Sequence, residues 1–394
     1  MKHGGSRGRL ALTGGILALL VCAAAVAGVY FLARNQDRPS GDQQESNLVR
    51  LLASVPDEPY CRQGPIYFGD RHQLATVHAL PPLASMGDLA NLPTEQLNRW
   101  LNALGSVWSS RFSGFPSTTT DWRDTFGYDW FQIDREITVG EMPKAFSVME
   151  GALDRQVIQA ALARLGYEQA QYEGISYYRI HQDYGTDLDE PVGRLAVSHL
   201  NRVVVGDGIL IAAPADDVLK PVLDARAGRR EALADDPEYL ALARAMGPAL
   251  SAVLYAGEQF YEWPVTSTKA PAELLLDIQA GYEDDPLHRY SLVGLGFVDD
   301  GQQQSLVVAL VYDDPQEAKA DGPTLAARLG RVPNLQARDE TLSDYWVVGG
   351  PQLHSFKEGS VLTVQLALKD EAPQALWAWM LSQHNLYFLV VGEQ

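Results

Sequence analysis

Residues 203–212 read VVVGDGILIA, and a stretch typical of a helix, ADDVLKPVLDARAG, follows at 215–228. Two glycines separated by one residue, beside an apolar run and ahead of a helix, suggest a dinucleotide-binding loop. That motif requires G-x-G-x-x-G in the turn that leads directly from a strand into a helix. Here Ile211 occupies the third glycine position, and a second apolar run separates the glycines from the helix. The stretch is therefore not predicted to bind a nucleotide.

The same stretch is a strong signal for a β-hairpin. Asp207-Gly208 lies between two runs of branched apolar residues, and glycine accepts the positive φ that tight hairpin turns require. A second turn of this kind, DDG at 299–301, lies between apolar runs at 289–298 and 305–312. Antiparallel strand pairing is expected at both places.

Strand-like and helix-like patterns follow the same order, β-β-α-β-β-α, in two parts of the chain. The first long helix of each part ends in Ala-Arg-Leu-Gly, at 163–166 and at 327–330. A shared order of elements indicates duplication of one unit. We therefore predict an α+β fold of two such units with mainly antiparallel sheets. The first domain spans 48–258 with an irregular N-terminal region, and the second spans 283–394.

The N-terminus contains a long apolar segment. Residues 10–33 carry no charge over 24 positions, and about 20 apolar residues suffice for a helix to cross a membrane. Basic residues ahead of it favour a cytoplasmic N-terminus. We expect a cytoplasmic tail and transmembrane anchor at 1–34, a linker at 35–47 and a single-pass protein with an extracytoplasmic body. A signal peptide cleaved after 25–27 and a lipid anchor at Cys22 are the alternatives.

The charge of the chain excludes one class of partner. The formal net charge is −19. The first 34 residues contribute four basic side chains and no acid, so the remaining 360 residues carry −23. A body with that charge repels a phosphate backbone, and nucleic-acid binding is not expected.

An acidic loop, HQDYGTDLDEPVG, is the densest group of possible metal ligands. Carboxylate oxygens at short spacing suit calcium, but the loop lacks the glycine at the sixth position of a calcium-binding loop. A solvated turn is the simpler interpretation. The weak metal candidates are Asp183, Asp187, Asp189 and Glu190.

Tyrosines close to this loop are weak candidates for contacts to a ligand: Tyr172, Tyr177 and Tyr178. Packing within a strand explains them equally well. The histidines match no zinc or catalytic motif, and two cysteines cannot form a thiolate metal site. We therefore predict no catalytic residue and no cofactor.

Three runs carry a resemblance to known sequences: GALDRQVIQAALARLGYEQAQYEGISYYRI, RVVVGDGILIAAPADDVLKPVLDARAG and LADDPEYLALARAM. They resemble a group of uncharacterised bacterial envelope proteins, over about residues 130–255, with 285–394 as the repeat. The resemblance implies an N-terminal membrane anchor and a duplicated α+β ectodomain of unknown function. It implies no catalytic residue.

These observations predict a non-catalytic binding or scaffold protein of the bacterial envelope. Its partner would be another envelope protein or a small hydrophobic ligand. The alternative is an extracytoplasmic hydrolase whose acidic and histidine residues meet only in the folded chain. A histidine beside a carboxylate in a pocket would favour the enzyme.

Overall fold

The structure is a computed structural model that describes residues 45–104, 120–261, 282, 285–333, 340–357, 359–369, 381 and 386–391. The chain divides into two units, one of Glu45–Ala170 with Tyr177–Gln394 and one of Met1–Gln44 with Gln171–Ser176. Of the second unit only 171–176 is described, and it contains the turn Glu173-Gly174, in which both residues have positive φ.

Within the described ranges, thirteen strands form one sheet. In chain order they are β1 (Ile66–Asp70), β2 (Ile133–Val139), β3 (Phe146–Gly151), β4 (Glu168–Tyr172), β5 (Ile175–Arg179), β6 (Arg202–Gly206), β7 (Ile209–Ala213), β8 (Ser251–Ala256), β9 (Leu292–Asp299), β10 (Gln304–Tyr312), β11 (Trp346–Val348), β12 (Gln352–Ser355) and β13 (Ser360–Leu368). The spatial order is β11-β13-β10-β9-β8-β1-β2-β3-β7-β6-β5-β4, and β12 pairs with β13. The pairings from β11 and β12 through to β5 are antiparallel.

Helices connect the strands. They are α1 (Asn47–Leu52), α2 (Pro59–Gln63), α3 (Arg71–Val77), α4 (Met86–Ala90), α5 (Thr94–Leu104), α6 (Thr120–Phe126), α7 (Arg155–Arg164), α8 (Pro191–Ala196), α9 (Asp216–Arg226), α10 (Pro237–Ala245), α11 (Pro315–Arg331) and α12 (Leu342–Tyr345). Short 3₁₀ helices lie at Trp130–Gln132, Leu233–Asp235, Gly257–Phe260 and Tyr387–Leu389.

Both predicted hairpins are confirmed. Strands β6 and β7 pair through the turn at Asp207-Gly208, where Gly208 has φ +67°. Strands β9 and β10 pair through the turn that contains Gly301, with φ +84°. VVVGDGILIA is thus a hairpin in the sheet, and the glycines belong to a turn.

The predicted division into two separate β-β-α-β-β-α units with their own sheets is wrong, because a single sheet runs through both halves. Strands β1 and β8, which the periodicity did not reveal, lie between the halves: β1 pairs with β2 and β8, and β8 pairs with β9. The expected last strand at 386–391 instead contains a 3₁₀ helix. The domain boundaries at 258 and 283 stay a prediction.

The membrane prediction also needs correction. None of the helices that the structure describes is long and apolar enough to cross a membrane. The predicted span at 10–33 lies outside the described residues, as do the tail and the linker up to residue 44. The single-pass topology, the membrane anchor and the cell-membrane localisation are therefore not supported.

One face of the sheet carries two hydrophobic cores. Residues directly opposite each other on paired strands share a face. The row Met149, Glu136, Gly69, Ser251 and Phe297 therefore crosses one face from β3 to β9. Its two ends belong to different buried clusters, which both pack against helices.

Between the two cores lies a polar strip, which we define as Glu136, Thr138, Ser147 and Ser251. All four side chains are buried. Arg71 lies against the strip, with its Nη1 3.5 Å from Oε1 of Glu136, and its guanidinium group is 4.3 Å from the centre of the Trp130 ring. A charged pair thus lies on this face between the two clusters, which share the partly buried neighbours Leu104 and Phe131.

Candidate ligand-binding cleft

The acidic loop forms a network around one arginine. The guanidinium group of Arg202, almost fully buried, donates to the carboxylate of Asp183, to Oδ1 of Asp216 at 2.8 Å and to the carbonyl of Ile180 at 3.0 Å. Although burial opposes ionisation, hydrogen bonds from Lys220 and Arg202 lower the pKa of Asp216. Asp183 therefore contributes to an ion-pair network that ties the loop to β6 and α9.

The other acidic residues of the loop have separate positions. Oδ1 of Asp187 accepts a hydrogen bond from the backbone of Asp189 at 3.0 Å, and both residues are exposed. Oε2 of Glu190 lies 3.5 Å from Nε2 of His181. Among the residues that the structure describes, no three histidine, cysteine or acidic side chains are grouped to hold a metal ion. A metal role for the loop stays a prediction.

The candidate tyrosines do not line a common surface. Tyr177 is buried, and its hydroxyl donates to the carboxylate of Asp216 at 3.1 Å. Tyr178 follows it on β5 and packs half-buried against a hydrophobic core. Tyr172 is half-buried at the end of β4, in the other unit. Ligand contacts by these three residues stay a prediction, and Tyr177 has a structural partner.

A serine and a histidine meet inside the sheet. Oγ of Ser147 lies 3.0 Å from Nε2 of His199 and 2.7 Å from Oγ1 of Thr138. This is the distance between a nucleophile and its base in hydrolases. Both residues are buried, however, and burial lowers the pKa of His199 to about 4 against an opposing hydrogen bond with the backbone of Ala145. A substrate has no access to this pair.

A second histidine is open to solvent and paired with a buried carboxylate. Nδ1 of His288 lies 2.7 Å from Oδ1 of Asp321, whose other oxygen accepts from the hydroxyl of Tyr312 at 2.8 Å. The hydrogen bond to Asp321 raises the pKa of His288. No hydrogen bond among the described residues places a serine, threonine or cysteine side chain on this histidine. The pair resembles part of a catalytic triad without its nucleophile.

A concave site lies elsewhere, where four segments distant in sequence meet. It is formed by α2, the start of α10, the end of β8 with the 3₁₀ helix after it, and the start of β9. Its volume is about 420 Å³, within the range of small-molecule sites. We call it the Arg62 cleft. Its polar and aromatic lining residues include Arg62, Glu238, Tyr239, Glu258, Tyr261 and Ser291.

Local sequence rules explain how the cleft is held together. Oδ1 of Asp236 accepts the backbone N–H of Glu238 at 2.8 Å and so caps α10, with Pro237 at the first helical position. Oδ2 of the same Asp236 accepts from Nη2 of Arg62 at 2.6 Å. One helix cap therefore fixes both α10 and the arginine of α2.

Gly257 brings the 3₁₀ helix close to β9. Its backbone N–H donates to the carbonyl of Ser291 at 2.7 Å. A Cβ at this position would lie 1.8 Å from the carbonyl oxygen of Tyr290, which no side chain tolerates. The close approach places Glu258 in the wall of the cleft beside Ser291.

The arginine of the cleft is already paired. Nε and Nη2 of Arg62 donate to the two carboxylate oxygens of Asp57 at 2.5 and 2.8 Å, and Nη2 also donates to Asp236. The hydrogen bond from Arg62 lowers the pKa of Asp57, and the two carboxylates raise that of Arg62. Its guanidinium group also lies 5.6 Å from the centre of the Tyr239 ring.

The carboxyl group of Glu238, unlike the guanidinium group of Arg62, is in surroundings that disfavour its charged form. Burial raises the pKa of its carboxyl group, and the nearby charges of Asp236 and Asp313 add to the effect. A hydrogen bond with Ser291 and the charge of Arg62 act in the other direction without reversing it. The ionised form of Glu238 is thus under-stabilised in this structure.

This cleft is not evident from the sequence. Asp236-Pro237 is visible as a helix start, but nothing in the sequence links it to α2, to residues 256–261 or to Ser291. Strand β8, whose end forms one wall, was itself missed. The candidate residues of the acidic loop are not among those that line the cleft.

Comparisons with known proteins add little. No protein-family model matches the chain, and no curated protein matches it. One solved structure, described as "Structure of crystal form I of TP0453", is similar with a TM-score of 0.33 and 9% identity, over 84% of this chain and 96% of that chain. A likeness at that level supports no conclusion about fold or function. The resemblance to anchored envelope proteins stays an expectation.

Proposed function

We propose that this chain is a non-catalytic binding protein that holds a small ligand in the Arg62 cleft. The observation that carries the proposal is the composition of the cleft. It combines apolar walls with charged groups whose positions are fixed by hydrogen bonds, as binding sites do. None of the ten described lining residues is a histidine or a cysteine.

The hydrolase alternative has weaker support. The buried Ser147–His199 pair lacks access, and the open His288–Asp321 pair lacks a nucleophile among its described hydrogen bonds. Neither pair lines the cleft.

Ligand-observed NMR on the full chain with a fragment library tests the proposal. Ala256→Phe narrows the cleft, and Ala152→Phe places the same ring at an exposed position outside its lining. We expect saturation transfer to fragments to be lost in Ala256→Phe and retained in Ala152→Phe, with both variants melting as cooperatively as wild type.

Two results would contradict the binding function. One is equal fragment binding by both variants. The other is turnover of an ester, phosphoester or peptide substrate that disappears in His288→Ala, because that would identify the histidine as part of an active site.

A further inference from the structure

The charges around the Arg62 cleft indicate which class of ligand it binds. Five carboxylates act on the cleft, and two guanidinium groups oppose them, which leaves a net charge of −3. The carboxylates are those of Asp57, Asp236, Glu238, Glu258 and Asp313, and the guanidinium groups are those of Arg62 and Arg289. An adjoining pair, Glu58 with Arg230, is neutral.

An anionic ligand could reach Arg62 only through Nη1, because the other two nitrogens of the guanidinium group are paired. Two of the nitrogens of its guanidinium group donate to Asp57 and Asp236. An anion at Nη1 would share the positive charge of Arg62 with Asp57 and Asp236, and the carboxylates of Glu238 and Glu258 also line the cleft. Like charges in one cleft oppose binding.

A cation relieves the strain on Glu238. The carboxylate is partly withdrawn from water, and two neighbouring acids make its charge less favourable. A positive group beside it supplies the missing compensation.

The remaining wall is apolar. Pro59, Ala256 and Leu292 line the cleft together with the acidic side chains. A ligand that fits both surfaces has a charged head and an aliphatic stem, as a lysine side chain does. An inorganic cation would leave this wall uncovered, and no three acidic, histidine or cysteine side chains among the described residues are grouped to hold a metal ion.

We propose that the Arg62 cleft binds the ammonium group of an aliphatic amine, paired with Glu238 and Glu258, with the alkyl chain against Pro59, Ala256 and Leu292. The proposal rests on the binding function proposed above and names its ligand class. A free alkyl diamine and a lysine side chain share this chemistry, and the two sources require separate probes.

Isothermal titration calorimetry of the full chain at pH 7 tests the proposal. The probes are 1,5-diaminopentane for a free amine and Nα-acetyl-lysine N-methylamide for a lysine side chain, with glutarate and 1-pentanol as anionic and neutral controls. The variants are Glu238→Gln and Glu258→Gln. Glu95→Gln, an exposed residue at the start of α5, is the control with the same change in net charge.

We expect at least one amine probe to bind the wild type, and glutarate and 1-pentanol not to bind. Each cleft variant should weaken binding about five- to tenfold, while Glu95→Gln leaves it unchanged. Raising NaCl from about 50 to about 500 mM should weaken it further, because the attraction is partly screened. The probe with the higher affinity identifies the source. Equal melting temperatures of the variants show that loss of binding is not loss of fold.

Failure of this inference is distinguishable from failure of the binding function. If glutarate or 1-pentanol binds and Ala256→Phe abolishes that binding, the cleft is a ligand site and the amine class is wrong. Equal weakening by Glu95→Gln would also overturn the amine site, because the effect would then be one of net charge. If no probe binds and the fragment library finds no ligand, both proposals fail.

Discussion

Burial of His199 in its neutral form is expected to make the free energy of unfolding of this protein fall between neutral pH and about pH 4. Burial lowers the pKa of this histidine in the folded chain to about 4, from an ordinary value of 6.5. In the unfolded chain the ring takes up a proton near pH 6.5, and in the folded chain it does so only near pH 4. The unfolded state therefore binds more protons in this window, and the free energy of unfolding falls as the pH falls.

The size of the effect follows from the two pKa values. A difference of one pKa unit corresponds to about 1.36 kcal/mol, so the full loss across the window is about 3 kcal/mol. About 2 kcal/mol of it is already lost at pH 5, where the unfolded histidine is almost fully protonated and the folded one is not. Above pH 6.5 the contribution is complete.

The perturbation is His199→Gln, which keeps a polar side chain and removes the titration. Urea unfolding, followed by tryptophan fluorescence at pH 7 and pH 5, gives the free energy of each protein. The variant carries a fixed cost at both pH values, because the hydrogen bond to Ser147 changes. The difference between wild type and variant should shrink by about 2 kcal/mol from pH 7 to pH 5.

A matched control separates this effect from loss of any histidine. His72 is exposed on α3, and His72→Gln should leave the pH dependence of wild type in place. The raised pKa of His288 makes the free energy of unfolding rise as the pH falls, which is the opposite sign. His288 is present in both wild type and variant, so its contribution cancels in their difference. A wild-type-to-variant difference that stays constant within about 0.5 kcal/mol between the two pH values would refute the reasoning.

Three further substitutions test the packing. Glu136→Leu should lower the free energy of urea unfolding by about 3–5 kcal/mol, because Arg71 is left as an uncompensated buried charge. Adding Arg71→Met should recover most of the loss, and equal destabilisation of the single and the double variant would contradict this. Gly208→Val should lower the unfolding free energy by about 1–3 kcal/mol because φ there is +67°, and an unchanged value would show that the turn tolerates the side chain. Gly193→Ala should lower the melting temperature by several degrees, measured by circular dichroism, because its Cβ would lie 1.9 Å from the carbonyl oxygen of Asp187; a wild-type melting temperature would disprove that close approach.

Local signals in the sequence predicted local structure. The turn at Asp207-Gly208 and the cap at Asp154, which accepts two backbone N–H groups at the start of α7, depend on neighbouring residues only. Gly166, after the same helix, has a positive φ of +86°. At the starts of α10 and α11 an aspartate caps the helix and a proline follows it, which again is a purely local pattern.

The joining of the two halves was not predictable in this way. Strand β1 reads IYFGD, and its last two residues are not typical of a strand. Gly69 pairs with Glu136 of the polar strip, and Asp70 caps α3. Strand β8, SAVLYA, has no alternation because its first four residues are all buried, so side chains on both faces of the sheet are covered. Short apolar runs of this kind do not reveal strand or helix by periodicity.

The candidate site was hidden for a different reason. Its lining residues come from four segments, and the pairing of Arg62 with Asp236 spans 174 positions. The acidic loop attracted attention because its residues are adjacent in sequence, yet Asp183 there is bound to Arg202. Acidic residues that are close in sequence indicated a local ion-pair network. The residues of the cleft come together only in the folded chain, so no stretch of sequence reveals them.

Strands β8 and β9 pair antiparallel, with Ser251 opposite Phe297 and Ala256 opposite Leu292. This pairing affects how the chain reaches its native state. A chain released after residue 258 would hold β8 with one bare edge, a row of unsatisfied amide and carbonyl groups along an apolar strand. Such an edge recruits another copy of itself. The second half would expose the matching edge of β9. During synthesis β8 is complete before β9 exists, so its edge is exposed for a time. Aggregation competes with folding until β9 has been synthesised. The two halves of the chain therefore depend on each other for folding, because each supplies the strand that covers the exposed edge of the other.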